Sequence, residues 1–159
     1  MKRFVLGIAL AFLGATGAYG ASPQDDVKSA VLKFYAAFNA HDFSRVDEAT
    51  SERWNHINPF GGRTIGRAAV LKELEQVHSS FLKGVTDTPE SMEIEILAPT
   101  TAMATVLSRT SNFTTPDGVL HANELQIRTF VLLRERGRWL IVRDHNTFVK
   151  CQAATCRAG

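Results

Sequence analysis

From Ser91 onward the apolar residues stop recurring every third or fourth position and begin to alternate with polar ones. This change of period is what most constrains the fold. A repeat near 3.6 belongs to a helix with one buried face, and a repeat of two belongs to a strand with one buried face. SMEIEILAP (91–99), TAMATVLSRTSNFT (101–114), LHANELQIRTFVLLRER (120–136) and RWLIVRDHNTFV (138–149) all read as strands. Pro116-Asp117-Gly118 turns the chain between the second and third, and RERGR (134–138) reads as a solvated hairpin turn before the fourth. Strands joined this closely in sequence make an antiparallel meander.

The first half of the chain is mostly helical in pattern. Residues 22–42 place Val27, Val31, Phe34, Phe38 and His41 on one face, with Asp25 and Asp26 in the first turn, where the helix dipole favours acidic groups. Asp42 reads as the N-cap of a short second helix ending near Ala49. RWNHIN (53–58) alternates as a short strand and is bounded by a turn at Pro59–Gly62. Helical spacing returns from Arg67 to Lys83, with Val70, Leu74, Val77 and Phe81 on one side and Gly84 as the stop. The expected architecture is α+β: three helices with one small strand among them, then a curved antiparallel sheet whose concave face packs on the helices. There is no internal repeat or linker, so residues 21–150 read as one domain.

Residues 1–20 stand outside that domain. A basic Met1-Lys2-Arg3 start, an apolar run and small residues at Ala18 and Gly20 are the layout of a secretory signal peptide. Cleavage near Gly20 implies a periplasmic or secreted protein with no stable membrane insertion afterwards. The 18 basic residues exceed the 16 acidic ones only through Lys2 and Arg3. A domain without net charge carries no electrostatic footprint for nucleic acid. Cys151 and Cys156 lie in the C-terminal tail, 151–159, where an oxidising compartment would allow a small disulfide loop; two free thiols are the alternative.

Gly61 and Gly66 have the G-x-x-x-x-G spacing of a phosphate-binding loop. That loop needs Lys and then Ser or Thr after the second glycine, and this chain has Arg67 and Ala68. It also belongs in a parallel βαβ sheet, not a meander. The glycines therefore read as backbone turns. In that light the ordered set FNAHD, NPFGG and GR opening a helix resembles the NTF2-like superfamily of cone-shaped α+β domains. The closing GRWLIVRDHNT resembles the last strand of small SnoaL-like proteins of the SgcJ/EcaC group. The resemblance spans residues 24 to 149. It implies a pocket between sheet and helices, often aromatic, and homodimers formed through the exposed sheet face.

Within that family, ketosteroid isomerases carry E-D-P-F-G, with the Asp as base. Aligned on Pro59-Phe60-Gly61, this chain has Asn58 there, and an amide does not take up a proton near neutral pH. The isomerase's oxyanion-stabilising Tyr falls at Phe34, with Tyr35 about 100° further round the helix. Ketosteroid isomerisation is therefore not expected. Asp144 matches the late-strand acid of the polyketide cyclases.

The candidate ligand-binding residues are Trp54, His56, Asn58, Phe60 and His78, and the candidate catalytic residues are Asp144 and His145. Strict alternation places His145 on the same side as Trp139, Ile141 and Arg143. His56, His78 and His145 are possible imidazole ligands, but their spacing is no local metal clasp, so no metal is assigned. No flavin or nicotinamide fingerprint occurs, and no cofactor is assigned. Arg109 and Arg128 are read on the outer sheet face, with a carboxylate clamp inside the cavity as the alternative, and Trp139 as core, with the pocket wall as its alternative. The reading favoured is an exported pocket that binds a small apolar or aromatic molecule. The alternatives are an enzyme of cyclase, isomerase or hydrolase type with a His–Asp acid–base pair, and a dimerisation or partner-binding module.

Overall fold

The computed structural model describes residues 22–150. The expected signal peptide and the Cys151–Cys156 pairing lie outside the described residues. The first helix, α1 (Pro23–Ala40), opens with a capping box in which the Ser22 side chain accepts from the Asp25 amide and the Asp25 carboxylate accepts from the Ser22 amide. Its buried face carries Val27, Ala30, Val31, Phe34, Tyr35 and Phe38. It ends at His41, whose left-handed backbone (φ 53°) lets its N–H reach the Ala37 and Phe38 carbonyls.

The expected second helix is only a 3-10 turn, Val46–Glu48. Ala49 is already tied to the sheet, because its carbonyl accepts from Ile141 N at 2.8 Å. Strand β1 (Thr50–Ile57) therefore begins three residues before the alternating run, and β2 (Arg63–Ile65) folds back on it. The turn between them is built on Asn58. Its Oδ1 accepts from Gly62 N at 2.9 Å and Phe60 N at 3.1 Å, and its own N–H donates to the Gly62 carbonyl. Gly61 and Gly66 both have φ of +86°, a region where only glycine is unstrained. Backbone turning, and no phosphate, accounts for the spacing of these glycines.

Helix α2 (Arg67–His78) is one turn shorter than its sequence pattern. The Ser79 and Ser80 hydroxyls both donate to the Gln76 carbonyl and compete for the acceptor that the next turn would use. The meander follows as β3 (Asp87–Ala98), β4 (Thr101–Thr110), β7 (Leu125–Glu135) and β8 (Arg138–Phe148), with a small hairpin of β5 (Phe113–Thr114) and β6 (Leu120–His121) inserted. The long third strand of the sequence reading is thus broken, with Asn123 at a positive φ of 51° in the break.

The six-stranded sheet has the order β2-β1-β8-β7-β4-β3. Every pairing is antiparallel except β1 with β8, which is parallel and sets His56 opposite Asp144. Between Val131 and Leu132 of β7 the register with β8 shifts, leaving Val142 as the extra residue of a bulge. On one side of it Ile141 faces inward; beyond it Asp144 and Asn146 do. Phe34, Trp54, Phe130, Leu132 and Ile141 form the centre of the core, between α1 and the concave sheet.

Candidate functional site

The curved sheet, the C-terminal half of α2 and the Phe81-Leu82 turn enclose a cavity of about 90 Å³. Its apolar wall comes from Phe38, Leu74, Val77, Phe81, Phe113 and Phe148, with exposed Phe60 at the rim. Phe113 and Phe148 sandwich His121 at ring distances of 4.6 and 4.9 Å, and Phe60 meets the same stack edge-on. His56, Asp87, Thr110, Gln126, Arg128 and Asn146 form the polar end. All six are buried, so the cavity is amphipathic, with its polar groups deep in the fold.

Strand alternation brings Trp54 and His56 inward from β1, and the parallel pairing sets Asp144 of β8 beside them. Asp144 has no solvent exposure. Its Oδ1 accepts from Trp54 Nε1 at 2.7 Å and its Oδ2 pairs with His56 Nδ1 at 2.9 Å. Burial alone would push the Asp144 carboxyl up. The charge and hydrogen bond of His56, the Arg128 guanidinium and the Trp54 indole outweigh burial and hold it below the ordinary carboxylate range. An ionised carboxylate only accepts, so the proton between the pair sits on His56 Nδ1. In the neutral ring, Nε2 then keeps its lone pair on a side chain that lines the cavity.

Arg128 corrects the sequence reading. It was expected on the outer sheet face, yet it is 4% exposed and points inward. Phe130 and Leu132 fix the inner face of β7, and a residue two positions before Phe130 shares that face. Its guanidinium lies 5.0 Å from the Phe34 ring centroid and sits between two carboxylates, 3.8 Å from Asp87 and 3.9 Å from Asp144. Burial acts to lower its pKa, but Tyr35, Asp144 and Asp87 raise it further, so it stays a cation. Tyr35 is buried beside this group, and burial pushes its hydroxyl up to about 12. The neighbouring helix position thus holds a phenol close to the polar end, although its hydroxyl only approaches Ser108 Oγ at 3.5 Å. Arg109 does lie on the outer face, paired with Glu90 at 2.6 Å, and Trp139 is in the core.

The remaining candidates divide. Asn58 lines the cavity while holding its turn, and its Nδ2 donates to Glu73 at 3.2 Å. His78 is buried, but not in the cavity. Its Nδ1 lies 2.6 Å from Nδ1 of His41, among Phe38 and Phe43, with desolvation, His41 and Arg128 lowering its pKa to about 4. His145 is exposed on the opposite face of β8 from Asp144, because the Val142 bulge reverses the alternation that placed it with Trp139 and Ile141. It makes no part of the cavity. His56, His78 and His145 therefore do not converge, and among the described residues no three His, Cys, Asp or Glu side chains form a metal-ligand group. Asp87 was not singled out from sequence. It lies four residues before the alternating run, at the first position of β3, and no sequence signal marks it.

Among solved structures, the chain is similar to an uncharacterised protein with a cystatin-like fold from Caulobacter vibrioides. They share 22% identity over 82% of this chain and 92% of that one, with a TM-score of 0.78. It is also similar to a putative ketosteroid isomerase from Shewanella frigidimarina (20% identity, 77% and 94% coverage, TM-score 0.62). A putative dehydratase of the NTF2-like family from Streptomyces avermitilis gives 18% identity, 80% and 97% coverage and a TM-score of 0.66. None of the curated proteins matches the chain in sequence. The SnoaL-like domain matches residues 27–149, a span that includes every residue lining the cavity. With that span matched and an NTF2-like cone around its pocket, the chain belongs to the SnoaL-like domain family.

Proposed function

We propose that the cavity takes a small, largely apolar or aromatic molecule and that His56, oriented by Asp144, exchanges a proton with it. The observation that carries this reading is the 2.9 Å contact of His56 Nδ1 with a carboxylate that is wholly buried. It holds the ring by Nδ1, and on this reading the other nitrogen, Nε2, meets the ligand. Proton removal gives an imidazolium stabilised by Asp144, and the same Nε2 returns the proton to a second atom. Returned to another carbon or oxygen of the same molecule, the proton completes an isomerisation; returned to a hydroxyl on the neighbouring carbon, it lets the C–O bond break and water depart, which is an elimination. Arg128 holds its positive charge beside the pair, where charge develops. Ketosteroid isomerisation is not part of the reading, since the Asn58 amide is committed to its turn.

The test is deuterium exchange into small cyclic ketones and aryl ketones in heavy water, read by proton NMR. Wild-type protein is expected to accelerate exchange of at least one, and His56→Ala to lower that rate by roughly 10²–10⁴. Equal rates in both proteins would remove His56 from the role. A second reading, binding without turnover, draws on the predominance of aromatic side chains in the wall. We further propose export by the N-terminal leader. A homodimer formed through the outer sheet face, where Leu97 and Ile127 are exposed, completes the proposal.

A further inference from the structure

Among the described residues, the polar end of the cavity holds three buried acceptors without a partner, Asp87 Oδ1, Gln126 Oε1 and Asn146 Oδ1, against one unpartnered donor, Arg128 Nε. Asp87 is 1% exposed and its Oδ1 has no hydrogen-bond partner among the described residues. Its Oδ2 has only Arg128 Nη2 at 3.8 Å, well beyond the roughly 2.7–2.9 Å of a charge-assisted hydrogen bond. Gln126 Oε1 and Asn146 Oδ1 are also buried and unpartnered. A side-chain amide can turn its NH₂ outward instead, but a carboxylate has nothing to donate. Asp87 is therefore the group whose need is fixed. It does not drift from the cavity either, because its backbone is clamped to α1. Asn39 Oδ1 accepts from Asp87 N at 2.7 Å, and Asn39 Nδ2 donates to Asp87 O at 3.0 Å.

Charge points the same way. Two buried carboxylates, Asp87 and Asp144, flank a single guanidinium. An incoming carboxylate or phosphate would be a third anion against one cation in a desolvated site, an arrangement that costs free energy. A hydroxyl or ammonium group would instead supply the donor that Asp87 Oδ1 lacks. Size bounds the rest of the molecule. The cavity of about 90 Å³ is smaller than the apolar cavity of about 150 Å³ that admits benzene, so a single ring enters only with adjustment of the wall.

Resting on the pocket reading above, we infer that the ligand is a one-ring or smaller molecule whose polar end is a hydrogen-bond donor, a hydroxyl or an amine, seated on Asp87. Carboxylated ligands are disfavoured. Asp87 is the recognition residue, distinct from the proton-transferring His56.

The test compares benzylamine, benzyl alcohol and benzoate, which share one ring, for binding to the leader-free protein at pH 7 by ligand-observed NMR. Benzylamine and benzyl alcohol are expected to bind at least about tenfold more tightly than benzoate. Asp87→Asn is expected to remove the advantage of benzylamine over benzoate by about tenfold, since the amide cannot balance an ammonium charge. Benzoate binding as tightly as the other two would overturn this inference and leave the pocket standing. The same holds for a folded Asp87→Asn protein with an unchanged ranking. Absence of binding by all three would sink both the inference and the pocket reading. If Asp87→Asn fails to fold, the wild-type ranking alone decides.

Discussion

Replacing Asp144 with Asn keeps the shape of the side chain and removes its charge, which isolates what the carboxylate does. The Trp54 Nε1 bond survives if the new Oδ1 stays where the old one was, though it becomes a neutral bond. The other new atom is an NH₂, and it faces His56 Nδ1–H across 2.9 Å. Two donors cannot share that space, so His56 must either break the contact or move its proton to Nε2. Losing one hydrogen bond to a charged group costs about 1.5–3 kcal/mol. Weakening the Trp54 bond and leaving Arg128 with one fewer counter-charge add to this, and about 3 kcal/mol is the expected total. For a domain of this length that lowers Tm by roughly 10 °C. The linkage sign is definite. The folded-state pKa of Asp144 is depressed, so its contribution is present above the unfolded value near 4 and is lost as pH falls through the folded value below it. Urea denaturation of both proteins at pH 7 and near pH 2 measures the difference, and nitrogen chemical shifts of His56 report the tautomer. A stability change under about 0.5 kcal/mol at pH 7, or a His56 still protonated on Nδ1 with its contact to residue 144 intact in Asp144→Asn, would refute the reasoning.

His78 gives an independent pH signature. Its pKa is lowered to about 4 by burial and the neighbouring His41, against about 6.5 in the unfolded chain, so the unfolded state binds the extra proton between those values. Stability is complete above pH 6.5 and falls by up to about 3 kcal/mol as pH drops to 4; His78→Gln should flatten that slope in urea titrations. Gly62→Ala should destabilise by about 1–3 kcal/mol, because a Cβ there would lie 2.5 Å from Asn58 Nδ2 and the turn must open; thermal melts check this. The leader and tail are tested by intact mass of protein recovered from the periplasm or medium. Loss of residues 1–20 and of two hydrogens is expected, and a full-length product with two alkylatable thiols would contradict export.

The fold was legible because its signals are periodic. The change from helical to alternating spacing near Ser91 located the meander, and the alternation of Trp54 and His56 located their shared face. What failed to show was whatever depends on one residue of register or on contacts distant in sequence. The bulge at Val142 adds a single residue to β8, which sends Asp144 inward and His145 outward against strict alternation. Nothing in VRDHN marks it. Arg128 was readable in principle, since Gln126, Arg128, Phe130 and Leu132 share one face; its charge argued for the outside until two buried carboxylates gave it partners. The His41–His78 contact joins residues 37 apart through the left-handed end of α1, which helical periodicity does not describe. Asp87 acquires its meaning only from the cavity that the fold closes around it.

The central claim is that His56 Nε2 is the protein's proton-transfer atom in the cavity. A crystal structure with the most readily exchanged ketone bound would test it directly. The account predicts the ketone's ring against Leu74, Phe113 and Phe148, with Nε2 about 2.6–3.2 Å from the carbon or water that gives up the proton. A ligand seated elsewhere on the protein, or one whose exchanging atom faces the aromatic wall with Nε2 turned to protein, would contradict it.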